Sequence, residues 1–254
     1  MTERRKALAA IIACVLFWGF SFISIKITVA VFSPMSLGAL RFALALVFLF
    51  FIKRALAPGE KLKLRDVPLL AAAGIVGVTL YFFCENNGVS LVTASEASVA
   101  IGIIPVLTMI TDWLGSRLIN LIKRKKGQIP ARTVRINLIQ WLGAIVSVAG
   151  VWLVAGVSFS AFPGNQEGGA ARSPLGYVYM SGAAICWVAY CFLTRPLFAR
   201  CSRIYIVFWQ TVAGLIGFIP FAVFEFKQWG TPDVPVLLHL AFLGIGCSAL
   251  GYWF

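Results

Sequence analysis

Long, uncharged apolar stretches recur along this chain and make a lipid bilayer the environment in which it can fold. A helix of about 20 apolar residues crosses a hydrocarbon core. The sequence predicts eight such spans, at 7–30, 34–52, 67–87, 93–116, 136–157, 174–194, 204–224 and 235–254. Because 60% of the residues are hydrophobic and 12% are charged, a soluble domain, with about 25% charged residues, is excluded. The predicted fold class is an all-α polytopic membrane protein.

The basic residues collect in alternate connections between these spans. Of the 22 Lys and Arg residues, 18 lie before the first span or in the connections at 53–66, 117–135 and 195–203. Short basic loops stay in the cytoplasm, so we expect a multi-pass protein of the cytoplasmic membrane with its N-terminus inside. The basic run at 123–126 is interpreted as such a loop beside anionic lipid rather than as a nucleic-acid site.

An internal repeat is visible at an offset of 169 residues, which aligns Trp18 with Trp187 and the second span with the seventh; near Tyr81 and Tyr252 the offset is 171. A unit of five spans enters the membrane inverted in its second copy, as in many secondary transporters. We therefore expect inverted five-helix repeats, with eight of ten transmembrane helices present. The predicted units are a first repeat at 1–157, an external linker at 158–173 and an incomplete second repeat at 174–254.

Several motifs together resemble a known family. They are Phe17-Trp-Gly-Phe-Ser-Phe22, Leu40-Arg-Phe42, the segment 85–98 and Gln140-Trp-Leu-Gly-Ala144. In this order the chain resembles the EamA-type drug/metabolite transporters. The resemblance implies ten helices in two inverted halves, efflux of small molecules, and two further helices after Phe254.

A carboxylate at membrane depth is a candidate for function because its burial is costly. Tyr81 and Glu85 lie four residues apart on one helical face with Asn86 beside them, and Glu85 is interpreted either as a site residue or as an interfacial anchor. Glu96 fits a capping box with Thr93, and the alternative is a second coupling carboxylate beside Glu85.

Further cavity candidates are small polar and aromatic residues at helical spacing. Trp18 and Ser21 share one face of the first span, and the repeat adds Trp187 and Tyr190; helix packing is the alternative for these aromatics. On the fourth span the candidates are Ser95 and Ser98, followed by Pro105, which predicts a helix kink.

Charged residues near the ends of spans have simpler interpretations. Lys26 and Arg195 are expected to reach lipid headgroups, whereas the deeper Arg41 should pair with a carboxylate or with carbonyl groups. Six cysteines lie mostly inside apolar runs and are interpreted as packing residues. No phosphate-binding loop or hydrolase motif occurs, and His239 lacks a second metal ligand, so we expect no cofactor, no metal and no enzyme.

These observations favour a secondary transporter that exports a small polar or amphipathic metabolite by alternating access between the repeats. Its expected partners are a small-molecule substrate, the lipid bilayer and a coupling ion such as a proton, carried by Glu85. The alternative is a non-transporting assembly subunit or an inactive truncated fragment. A membrane enzyme is a third class, for which the sequence offers no nucleophile or metal pair.

Overall fold

The computed structural model describes residues 3–125, 134–160 and 173–253, and helices are the only regular secondary structure in these ranges. We number eight helices, counting segments that continue one another as one helix. They are α1 (Glu3–Val29), α2 (Pro34–Leu56), α3 (Val67–Gly74, Ile75–Leu80 and Tyr81–Leu91), α4 (Ala94–Ile101 and Ile104–Lys125), α5 (Leu138–Ser160), α6 (Pro174–Thr194), α7 (Arg203–Glu225) and α8 (Val234–Ala241, Phe242–Leu250 and Gly251–Trp253).

Six of these helices are long and apolar enough to cross a membrane, namely α1, α2, α3, α4, α6 and α7. The predicted fifth and eighth spans correspond, within the described residues, to shorter apolar helices at Leu138–Gly150 and Val234–Leu250. Large apolar side chains such as Phe51, Val223 and Phe224 remain exposed on the bundle surface. This exposure is expected where the surrounding solvent is lipid, and the chain is a polytopic membrane protein.

The middle of α3 and the middle of α8 share an unusual local geometry. Ile75–Leu80 in α3 and Phe242–Leu250 in α8 are π-helical, whereas the segments around them are α-helical. Each π-helical segment widens one turn and changes the direction of the side chains that follow. Tyr81 lies directly after the first segment and Tyr252 two residues after the second, so a similar irregularity precedes both tyrosines.

Close packing between α2 and α7 forms the centre of the bundle. The rings of Phe42 and Phe218 stack with centroids 6.0 Å apart, and Phe218 covers Gly38 so closely that a Cβ there would overlap its ring. On the neighbouring α3, the carbonyl of Gly74 lies 3.0 Å from where a Cβ of Gly214 would stand. Glycine is therefore required where these backbones approach each other.

Helix α4 is interrupted between Ile101 and Ile104. Proline has no amide hydrogen and disfavours a helical residue before it, and Pro105 is the second residue of the segment that follows the break. Gly102 lies within the break, and its carbonyl accepts a hydrogen bond from the Ser147 hydroxyl at 3.3 Å. The interruption thus lies at the height of the candidate cavity residues.

Two details at helix ends differ from the sequence-based expectations. The predicted third span stops at residue 87, but α3 continues to Leu91, because Gly88 serves to admit the Met180 side chain rather than to end the helix. Lys26 does not reach lipid headgroups. Its ammonium donates to the carbonyls of Val89, Ser90 and Val92 at 2.8, 3.1 and 2.7 Å, which satisfies the C-terminal end of α3.

Candidate functional site

A cavity of about 430 Å³ is lined by residues of six helices. This volume is within the range of small-molecule sites, roughly 300–1,000 Å³. α1, α2, α3 and α4 line it from the first predicted repeat, and α6 and α8 from the second. The polar and aromatic lining residues are Trp18, Ser21, Phe22, Arg41, Tyr81, Phe82, Glu85, Ser98, Trp187 and Tyr252.

Arg41 and Glu85 are the charged residues of this lining, and both are buried. Their side chains are 3% and 5% exposed, and Arg41 Nη1 lies 3.9 Å from Glu85 Oε2. This separation is longer than the roughly 2.7–2.9 Å of a charge-assisted hydrogen bond. The expectation that Arg41 pairs with a carboxylate is confirmed, and the two groups form a loose ion pair.

Neighbouring polar groups hold each member of the pair. The hydroxyl of Tyr81 donates to Glu85 Oε1 at 2.7 Å, and Arg41 Nε donates to the hydroxyl of Ser248 at 2.9 Å. The guanidinium carbon of Arg41 also lies 4.4 Å from the centroid of the Phe82 ring, close enough for a cation–π contact. Both charged groups are therefore fixed in position before any solute arrives.

Aromatic rings from both predicted repeats form one wall of the cavity. Trp18 and Trp187 meet edge to face with centroids 5.5 Å apart, and the Tyr252 ring lies 6.1 Å from Trp18 and 5.9 Å from Trp187. Tyr81 continues the wall, with its ring centroid 5.2 Å from that of Trp187. Such rings offer flat apolar surface and electron-rich faces to a bound molecule.

The structure brings together most, but not all, of the sequence-based candidates. Those that line the cavity are Trp18, Ser21, Tyr81, Glu85, Ser98 and Trp187, together with Pro105. Tyr190 lies outside the lining because its hydroxyl donates to Gln210, although its ring packs against Trp187. Ser95 is exposed and also outside the lining.

Asn86 and Glu96 have structural partners outside the cavity. The amide of Asn86 donates to the Pro34 carbonyl at 2.8 Å and joins α3 to the start of α2. Glu96 and Thr93 form both hydrogen bonds of a capping box at the start of α4. The capping interpretation of Glu96 is confirmed, and Glu96 is not among the residues that line the cavity.

Sequence reasoning assigned Arg41, Phe82, Ser248 and Tyr252 no place in the site. Two signals were available for them. Arg41 is the one cation deep inside a predicted span, and Tyr252 aligns with Tyr81 in the repeat. Ser248 carried no signal, because its role depends on α8 packing beside α2.

A second, larger cavity of about 590 Å³ lies where α2 ends, close to the beginning of α7. Phe50, Lys53, Arg54, Pro58, Phe208 and Trp209 line it. It contains no buried ion pair and opens at one end of the bundle, so the mid-bundle cavity is the better candidate for a solute site. Within the described residues, no group of three or more His, Cys, Asp or Glu could hold a metal ion.

A bundle of apolar, membrane-length helices around a polar and aromatic cavity is an architecture common among multi-pass transport proteins. The chain belongs to the EamA-like transporter family, whose model matches residues 5–118 and 174–254. It is a membrane transporter.

Individual relatives agree with this assignment. The chain is 27% identical over 238 residues to an uncharacterized transporter of Archaeoglobus fulgidus, covering 94% of this chain and 75% of that protein. It is 25% identical to a probable terminal-alkyne amino-acid exporter of Streptantibioticus cattleyicolor, covering 97% of this chain and 74% of the relative. A solved crystal structure shares the fold, with a TM-score of 0.68 at 18% identity over 99% of this chain and 78% of the other.

Proposed function

We propose that this protein is a secondary transporter of the cytoplasmic membrane that exports a small polar or amphipathic metabolite by alternating access between two inverted repeats. The observation that carries the proposal is the cavity that holds the Arg41–Glu85 pair and is walled by rings from both repeats. A buried ion pair stabilises a fold little compared with apolar packing. Its presence in a cavity at membrane depth therefore favours a role in binding or coupling.

Contacts between α2 and α7 support the inverted repeat. At one end, the carboxylate of Glu225, the last residue of α7, accepts from the backbone amides of Met35 and Ser36 at the start of α2, at 3.1 and 2.9 Å. At the other end, the Glu60 carboxylate beyond α2 accepts from the Ser202 amide before α7 at 3.1 Å. The start of each helix is thus contacted by an acidic residue from the far end of the other, an arrangement that agrees with antiparallel placement of the two helices.

Further support comes from residues that the repeat offset relates. Trp18 and Trp187 contact each other, and the family model matches 5–118, within the first predicted repeat, and 174–254, the range of the second. In a transporter that alternates between inward-open and outward-open states, related residues exchange environments. Export is the direction that the resemblance implies.

Flux through proteoliposomes tests the proposal. Purified protein is reconstituted, and efflux of a panel of labelled metabolites is measured with and without a pH gradient. If Glu85 carries the coupling proton, Glu85→Gln keeps the Tyr81 hydrogen bond but loses the response of flux to the pH gradient. Unchanged pH dependence in this variant removes the coupling role, and absence of flux for every solute removes the transport function of this chain.

A cysteine-accessibility experiment tests the orientation. Single cysteines at Gly59 and at Gln228 are expected on opposite faces of the membrane, with the first labelled from the cytoplasm. Labelling of both positions from one face would contradict the inverted arrangement.

A further inference from the structure

Beside the cavity lie two buried hydrogen-bond donors without a hydrogen-bond partner in the part of the chain that the structure describes. Arg41 Nη1 and the Tyr252 hydroxyl are buried, and neither has a hydrogen-bond partner among the described residues. Both belong to residues that line the cavity. An unsatisfied buried donor costs about 1–3 kcal/mol, so two of them beside one cavity point to a ligand that supplies acceptor atoms.

The loose geometry of the ion pair indicates which acceptor fits. Arg41 is held at Nε by Ser248 and against Phe82 by its ring contact, while Glu85 is held at Oε1 by Tyr81. The distance from Arg41 Nη1 to Glu85 Oε2 is therefore 3.9 Å, too long for a hydrogen bond. A guanidinium binds a planar carboxylate with two parallel hydrogen bonds. A solute carboxylate can accept the hydrogen bond from Arg41 Nη1 that Glu85 is too distant to accept.

From this arrangement, and resting on the proposed transport function, we infer that the substrate is an organic carboxylate: its anionic group binds Arg41 and Tyr252, and its apolar body packs against Trp18 and Trp187. The rings provide flat surface that a hydrated inorganic anion would not use. The cavity volume of about 430 Å³ accommodates a body the size of one aromatic ring with a short chain.

Charge balance then assigns a part to Glu85. The cavity is neutral while Arg41 and Glu85 face each other, and a bound carboxylate adds one negative charge in a water-poor site. The groups near Glu85 are Arg41 from α2, Tyr81 from α3, and Tyr252 and Cys247 from α8. α1, α4 and α6 contribute the uncharged Trp18, Ser98 and Trp187.

Neutrality is restored when a hydronium ion of the solvent protonates Glu85: one of its O–H bonds breaks, an O–H bond forms on the carboxylate, and water leaves. No other covalent change occurs, because the solute exchanges for Glu85 as the counter-ion of Arg41. Proton and carboxylate consequently bind together and move in the same direction. Net flux follows the product of their two gradients and is outward when the outward carboxylate gradient exceeds the opposing proton gradient.

Matched probes test this inference on the intact chain in detergent. 3-Phenylpropionate, 3-phenylpropylamine and 3-phenylpropanol share one body and differ in charge. We expect the carboxylate to bind most tightly by calorimetry. Arg41→Gln should weaken it by at least about tenfold, leave the uncharged alcohol unchanged and not weaken the amine, because Glu85 loses its counter-ion. Tyr252→Phe, which keeps the ring, should weaken it by about threefold to tenfold.

Glu85→Gln separates a binding role from a structural one, because its expected effect has the opposite sign. This variant leaves Arg41 without a competitor, so the carboxylate should bind at least as tightly as in the wild type. As the pH rises, wild-type affinity should fall by up to about tenfold per pH unit, because proton uptake accompanies binding. The variant should show no such pH dependence. Arg195→Gln, on an exposed ion pair outside the cavity, is the matched control and should leave all three affinities unchanged.

The outcomes distinguish the substrate class from the transport function. Equal binding of the amine or alcohol, or unchanged carboxylate affinity in Arg41→Gln, overturns the inference. If Arg41→Gln fails to give a cooperative thermal transition, Tyr252→Phe and the pH slope decide instead. Flux of the amine but not the carboxylate in proteoliposomes leaves transport in place and refutes the carboxylate. Arg41-dependent binding without flux of the carboxylate refutes transport and leaves the site.

Discussion

The carboxylate of Glu225 accepts a hydrogen bond from the backbone amide of Ser36 at 2.9 Å, so a residue at the end of α7 caps the start of α2. The same oxygen also accepts from the Met35 amide and the Ser36 hydroxyl. A negative charge at a helix N-terminus accepts hydrogen bonds from the free amides and interacts favourably with the positive end of the helix dipole. This contact fastens the two predicted repeats to each other at one membrane face.

Removing this cap should destabilise the bundle. Glu225→Ala is expected to lower the free energy of unfolding by about 1–2 kcal/mol, measured by denaturation in mixed micelles. Lys227→Ala is the control, because Lys227 is an exposed neighbour. Equal stability of the two variants would show that the cap contributes nothing measurable.

The buried ion pair should behave as one unit in a double-mutant cycle. Glu85→Gln leaves the Arg41 charge uncompensated and should cost about 3 kcal/mol, as should Arg41→Gln. The double variant should recover part of this loss, since neither charge remains. Additive losses would contradict the coupling. Added 3-phenylpropionate should raise the melting temperature of Glu85→Gln more than that of the wild type, because it replaces the missing counter-charge.

The crossing of α3 and α7 should not tolerate an added methyl group. At Gly214 a new Cβ would meet the Val78 side chain and the Gly74 carbonyl, so Gly214→Ala should cost about 1–3 kcal/mol. Gly143→Ala is the matched control, since nothing among the described residues lies within 4 Å of a Cβ there. Helix propensity predicts that the control gains up to about 1 kcal/mol. Thermal unfolding in detergent compares the two, and equal losses would refute the close approach.

Lys26 should act as a cap on α3 rather than as a lipid anchor. Lys26→Met keeps the aliphatic stem but removes three donors to backbone carbonyls, and we expect a loss of about 1.5–3 kcal/mol. The contact also joins α1 to the connection before α4, so hydrogen exchange of the amides around Thr93 should accelerate. Unchanged exchange and stability would support the lipid-anchor interpretation instead.

Asp112 and Arg195 form an exposed ion pair, which should contribute much less to stability than the buried pair of Arg41 and Glu85. The two side chains bond at 2.9 and 3.0 Å but are 24% and 60% exposed. Asp112→Asn should therefore change the free energy of unfolding by no more than about 1 kcal/mol. A loss as large as that of Glu85→Gln would show that this pair lies in a drier environment than its exposure indicates.

Much of the candidate site followed from the sequence because costly residues are few inside apolar spans. Glu85 and Arg41 were recognisable as groups that need partners, and the repeat paired Trp18 with Trp187. The separate roles of Glu96 and Asn86 were harder to assign, since a carboxylate or an amide near a helix end serves a cap as readily as a cavity. Their contacts with Thr93 and Pro34 decided the matter.

The sequence by itself determined the membrane environment and the family. Apolar runs long enough to span a bilayer require lipid around them, and the family motifs identify a transporter. The tertiary structure decided which polar groups meet. Ser248, 207 positions away in sequence, accepts a hydrogen bond from Arg41. Arg41 Nη1 and Glu85 Oε2 stay 3.9 Å apart because Ser248 and Phe82 fix the guanidinium while Tyr81 fixes the carboxylate. Periodicity fixes the face on which a side chain lies, whereas the distance between two faces depends on how helices far apart in sequence pack together.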